Sequence, residues 1–210
     1  DAVFQAAAKA WAEEEIQHGA VLARWAKMAD PDFDFDESFR CFVEGYSIPL
    51  EAAQSVRGSR AGELVARCIV EVGTSSYYAA MADASREPLL SAICRRIAAD
   101  ELRHYKLFYD HLNRYVARER IGRWRRFWVA LGRIGESEDD ELAYAYYAAN
   151  GAGLPYERRR WAQAYLQRAY SFYRPKHFRR AVAMAFKAAG LNPQSRMTGL
   201  VSNVAYRALR

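Results

Sequence analysis

Trp11-Ala-Glu-Glu-Glu-Ile-Gln-His18 and Ile97-Ala-Ala-Asp-Glu-Leu-Arg-His104 decide how this chain is read. Each contains a Glu-x-x-His: Glu15 with His18, and Glu101 with His104. On an α-helix, residues three apart lie one above the other on a single face. In steps of three and four the first stretch gives Phe4, Ala8, Trp11, Glu15, His18, Leu22 and Trp25. The second gives Leu90, Cys94, Ile97, Glu101, His104, Phe108, His111 and Tyr115. Both stripes are mainly apolar with Glu and His at their centres, which points them into a core. A buried carboxylate needs a partner, and a metal ion suits Glu and His at once. The competing reading of each pair is an exposed ion pair on a helix surface.

Outward from these two stretches the chain reads as helix throughout. Residues 2–29 form one long helix ended by Asp30-Pro31, because proline disfavours helix in the residue before it. Asp36 is the expected N-cap of a helix over 37–46. Pro49 interrupts, and a long helix follows near 60–84 with the stripe Leu64, Cys68, Glu71, Thr74 or Ser75, Tyr78 and Met81. A lone carboxylate, Glu71, again sits mid-stripe. Glu87-Pro88 separates this helix from the next, over about 89–118, with Pro88 suited to a first turn. Shorter helices are expected over 122–134, 140–149, 156–172, 176–189 and 194–208. Their breaks are Gly135–Asp140, Asn150–Pro155, Pro175 and Asn192-Pro193. There is no strand pattern and no apolar run of transmembrane length. The fold class is all-α.

Charge divides the chain. Residues 1–105 carry a net −6 and residues 106–210 a net +12. The acidic half holds the metal-ligand candidates; the basic half suits an acidic partner. Arginine clusters at Arg118–Arg126, Arg158–Arg160 and Arg174–Arg180 are interleaved with Trp124, Phe127, Trp128, Trp161 and Phe178. The simplest reading is solvated helix faces with the aromatics turned inward. Recognition of an acidic carrier protein and of nucleic acid are the other two. His177 is read as part of the basic surface, and His111 as a hydrogen-bonded core or rim residue. The 3 cysteines, Cys41, Cys68 and Cys94, have no Cys-x-x-Cys spacing, and an odd count favours buried thiols in a reducing, cytoplasmic setting.

Trp11–Gly19 resembles the first Glu-x-x-His helix of the soluble acyl-acyl-carrier-protein desaturases, and Ile97–His104 resembles their second. Glu71-Val-Gly-Thr74 is similar to the family's lone ligand Glu with a Thr one turn later. The separations, 56 residues from Glu15 to Glu71 and 30 from Glu71 to Glu101, are also similar. The likeness covers roughly residues 4–115. It implies a ferritin-like four-helix bundle core over 1–118, with 119–210 a basic helical extension packed on it. It implies two Fe ions held by Glu15, His18, Glu71, Glu101 and His104, with O₂ as co-substrate. Thr74 would sit near the dioxygen site, and Asp100 would accept a ligand histidine's N–H. The bland alternatives are a Thr74 hydroxyl bonded to the i−4 carbonyl and a solvated Asp100. The implied activity is oxygen-dependent oxidation of an acyl or alkyl chain. Oxidation of a different small molecule, or a non-enzymatic ferritin-like iron-binding or scaffold role, are the alternatives. The implied partners are an acyl carrier protein, a ferredoxin-type electron donor and a second copy in a homodimer, with no nucleic acid. One departure stands out: the family's first ligand Glu lies on a helix before the first Glu-x-x-His, and here only 14 residues precede Glu15. That carboxylate is expected upstream of Asp1, with Glu44 as the weaker substitute.

Overall fold

The computed structural model describes residues 1–47, 55–136, 140–151 and 153–209, and every element among them is helical. The helices are α1 (Ala2–Ala29), α2 (Phe35–Gly45), α3 (Arg60–Ala84), α4 (Pro88–Glu119), α5 (Arg123–Glu136), α6 (Asp140–Asn150), α7 (Arg158–Tyr170), α8 (Pro175–Ala189) and α9 (Arg196–Ala208). Pro49 lies outside the described residues, as do 137–139 of the expected Gly135–Asp140 loop and 152 of the Asn150–Pro155 breaker.

The ends follow local chemistry. The Asp1 carboxylate accepts from the Val3 and Phe4 N–H groups and opens α1. Ser59 caps α3 through the Gly62 N–H. The Glu87 carboxylate caps α4 through Leu89 and Leu90, and Pro88 supplies the first turn. One boundary needs correction: the N-cap of α2 is Asp34, not Asp36. The Asp34 carboxylate takes the Glu37 N–H at 2.9 Å, so the helix starts two residues earlier than expected.

Cross-chain bonds set the packing of the three helices that carry the candidate ligands. Glu119 accepts from the Ala61 N–H, the Ser75 hydroxyl donates to the Ala98 carbonyl, and the Ser91 hydroxyl donates to the Ala82 carbonyl. Residue numbers fall along α4 as they rise along α3, so the two are antiparallel. The same holds for α1 on α4: Asp1 meets Arg114, Phe4 meets His111, Trp11 meets Phe108, His18 meets Asp100 and Trp25 meets Glu87. The core lies between α3 and α4, around Leu64, Val65, Cys68, Phe108 and Leu112, and is closed by Ala130 of α5 and Ala188 and Ala189 of α8. Leu112 is fully buried, worth about 1.5–3 kcal/mol against exposure. Cys68 and Cys94 are buried free thiols. No helix among the described residues is long and apolar enough to cross a membrane.

Candidate metal centre

The antiparallel pairing of α1 and α4 brings the two Glu-x-x-His turns face to face. Both histidines are buried, His18 at 8% exposure and His104 at 3%, and their ring centroids are 5.8 Å apart. The exposed ion-pair reading therefore fails for both. Glu71 projects from α3 into the same space and is almost fully buried, as is Glu101. Glu15, Glu71, Glu101 and His104 each offer a donor atom within 4.8 Å of all the others, so this group can hold a metal ion.

The two helical carboxylates are shared between the histidines. Glu15 turns Oε1 to His104 Nδ1 at 3.2 Å and Oε2 to His18 Nδ1 at 3.6 Å. Glu101 turns Oε2 to His104 Nδ1 and Oε1 to His18 Nδ1, both at 3.6 Å. Glu71 joins one side only, with Oε2 at 3.7 Å from His104 Nδ1. Among the described residues, the His104 side is thus richer by one carboxylate than the His18 side. Glu44, considered as a further ligand, is an exposed residue of α2 paired with Arg40.

The other ring nitrogens are anchored crosswise. His18 Nε2 lies 3.2 Å from Asp100 of α4, and His104 Nε2 lies 3.0 Å from Glu14 of α1. Each Nε2–H donates to the acid that precedes the opposite helix's own Glu. This assigns the free nitrogen as Nδ1, the one aimed at the carboxylates. Arg103 ties the two acids together, bonding Asp100 and also Glu14 at 2.9 Å. Asp100 is thus a bonded partner of His18 rather than a solvated acid. Glu14 and Arg103 were missed in the sequence reading. The usable signal was that Glu14-Glu15-x-x-His18 repeats the pattern Asp100-Glu101-x-x-His104.

Thr74 stands 3.0 Å from Glu101 Oε2, and 3.3 and 3.2 Å from the Val70 and Glu71 carbonyls. Its single proton can go to only one of these at a time. The side chain therefore reaches the cluster while keeping the backbone bond as an alternative. Arg67 was also unforeseen: its guanidinium lies 3.8 Å from Glu71 Oε1 and 4.7 Å from the Trp11 ring centroid. Trp11 meets His104 and Phe108 edge-on and walls off one side of the cluster.

No known family, curated protein or solved structure matches this chain. The site must therefore be judged on its own electrostatics. Burial, together with the facing Glu101, pushes the Glu71 carboxyl up to about 9. Burial opposes ionisation of Glu101 too, yet His104, Glu71 and Thr74 hold it below the usual carboxylate range. Burial alone would lower His104; the nearby carboxylates of Glu101, Glu15 and Glu14 outweigh it and raise the imidazole to about 10. Protons on Glu71 and His104 thus balance the packed carboxylates. Even so, His18 Nδ1, His104 Nδ1 and Glu71 Oε2 have no hydrogen-bond partner although all three are buried. Buried polar atoms are otherwise almost always paired. A cation held by Glu15, Glu71, Glu101 and His104 would replace the protons at His104 Nδ1 and Glu71 Oε2, so these residues fit a metal, whereas His18 Nδ1 lies outside that four-residue group.

The remaining two histidines lie elsewhere. His111 is at the edge of burial, with Nδ1 3.0 Å from Arg114 Nη1. His177 is not on a basic surface: it is 5% exposed, packed at the end of α3 where Asp83 draws it in.

Proposed function

We propose that the protein is an oxygen-dependent di-iron oxidase acting on an acyl or alkyl chain, with a ferritin-like bundle similar to that of the acyl-acyl-carrier-protein desaturases. The observation that carries this reading is the sharing of Glu15 and Glu101, each offering one oxygen to each histidine. Carboxylates turned to both histidines would suit a pair of adjacent ions. Hard carboxylates with imidazole suit iron in both oxidation states. In this reading His104, Glu71 and the two shared carboxylates hold one ion, and His18 with the same two holds the other. Iron held there would supply electrons to O₂ and the oxidising power to take hydrogen from an unactivated C–H bond.

The chain's own residues do the rest. Glu14 and Asp100 keep the Nε2–H of each histidine in place, leaving Nδ1 as donor to the metal. Thr74 holds a proton at Oγ1 beside Glu101 and can pass it inward. Trp11 and Phe108 exclude water on the α1 side. An acidic carrier for the acyl group and a ferredoxin-type donor are the partners proposed, drawn by the positive charge of the second half.

Anaerobic reconstitution with Fe(II) tests the reading: about two iron ions per chain are expected. A plateau well under one ion overturns it. With iron loaded, mass spectrometry of an acyl-carrier substrate separates loss of two hydrogens from gain of one oxygen. The shortage of a carboxylate on the His18 side favours a second reading, a ferritin-like module that only handles iron. Oxygen uptake with every organic substrate unchanged would select it.

A further inference from the structure

The amphipathic helix α5 presents its aromatic residues in an unexpected direction. Ala130 is buried, and Phe127 and Val129 pack against the α3/α4 core. Trp124, Trp128 and Leu131, spaced i, i+4, i+7, turn away from Ala130 and are 63%, 67% and 41% exposed, with Phe127 bordering the stripe in edge contact with both indoles. The expectation that the aromatics of the basic clusters turn inward holds for Trp161 and Phe178, which are buried, and fails for this pair. Two exposed indoles on one helical stripe are a costly surface unless something covers it.

The charges around the stripe indicate what does. Arg123 and Arg125 flank it, and Arg120 precedes it. The Arg123 guanidinium lies 5.8 Å from the Trp124 ring centroid. Glu136, the acid at the far end of α5, is already engaged by Arg57 and Arg133. Among the described residues no carboxylate pairs with Arg120, Arg123 or Arg125, all exposed, although the Arg125 guanidinium lies beside Gly58. An amphipathic indole prefers the depth at which lipid headgroups meet acyl chains. Long arginine side chains beside it reach the phosphates. A ridge of two indoles with free guanidiniums on both flanks fits a fluid anionic surface, which needs no matching groove.

We propose that α5 is a peripheral membrane anchor, lying in the plane of an anionic lipid surface with Trp124 and Trp128 inserted and the arginines on the headgroups. The anchor is independent of the metal centre. It lies on the surface without crossing, in keeping with the absence of a spanning helix among the described residues.

Full-chain protein is mixed with vesicles of phosphatidylcholine alone or with added phosphatidylglycerol, and binding is read by co-flotation and by the blue shift of tryptophan fluorescence. Binding to the anionic vesicles is expected, weakening as salt rises. The double variant Arg123→Gln/Arg125→Gln should lose about thirtyfold in binding. Trp124→Ser/Trp128→Ser should lose both binding and blue shift while keeping the helical circular dichroism. Equal binding to neutral vesicles, or binding unchanged in either double variant, overturns the proposal. So does a soluble acidic protein captured through these residues while vesicles are ignored.

Discussion

His104 and His177 are both buried, and both have a carboxylate on Nε2, yet they sit in opposite kinds of environment. At His177 both nitrogens are satisfied: Nε2 donates to Asp83 at 3.0 Å, and Nδ1 accepts the Arg174 N–H at 3.0 Å. Lys176 completes the neutralisation of Asp83, whose carboxyl is held below its ordinary range by Lys176 and His177. That site is closed and fastens the start of α8 to the end of α3. At His104 the Nδ1 has no bonding partner and looks onto Glu15, Glu71 and Glu101. That site is open in the chemical sense: its carboxylates are balanced by protons on Glu71 and His104 that a cation can replace. Burial of a histidine says little by itself; what matters is whether its second nitrogen is already taken.

Removing a shared carboxylate should separate the two sites most sharply. Glu101→Ala is expected to weaken metal binding more than about a hundredfold, since the loss exceeds that of an outer partner. His177→Ala should leave metal uptake unchanged and cost about 1–3 kcal/mol of stability through the lost bonds to Asp83 and to the Arg174 N–H. Metal titration and denaturant unfolding of both variants check this, and metal loss in His177→Ala would erase the contrast. A smaller effect is expected at Glu14, which touches only the far nitrogen. Glu14→Gln should weaken metal binding about 10- to 100-fold with the stoichiometry kept, measured by competition with a chelator.

The finest test is the pH dependence of the metal-free protein. Glu71 and His104 both have pKa values raised in the folded state, to about 9 and about 10, from ordinary values of 4.5 and 6.5. A raised group contributes its full stability below the ordinary value and loses it as pH climbs to the folded one. Metal-free protein should therefore lose stability as pH rises from about 4.5 to 9 through Glu71 and from about 6.5 to 10 through His104, on the order of 1 kcal/mol per pH unit for each group. Metal binding near neutral pH should release protons from these two residues. Thermal unfolding across that range and a weakly buffered indicator read the two effects; a flat stability profile in the metal-free protein counts against the assignment.

Much of this was legible in the chain. Pro31, Pro88 and Pro175 bracket helices that begin or end within a residue or two of the expected positions, because proline acts on its immediate neighbours. The five ligand candidates were legible because three-residue spacing and an apolar stripe are properties of a single helix. Glu14 and Arg103 were not, since each bonds a residue of another helix, and Arg67, though paired with Glu71 on its own helix, is placed over Trp11 of α1 only by the packing. Spacing to His18 distinguishes Glu15 from Glu13 and Glu14 in the sequence; that Glu14 reaches His104 depends on the position of α4.

The sequence by itself determined that the chain is helical, where the helices stop, and that Glu15 with His18 and Glu101 with His104 share a face. These follow from dihedral preferences and a 3.6-residue repeat, both short-range. Only the tertiary structure decided which nitrogen faces which oxygen, that His177 is enclosed, and that Trp124 and Trp128 look outward. Those outcomes depend on which helix lies across from which, and that is settled by burial summed over the whole molecule.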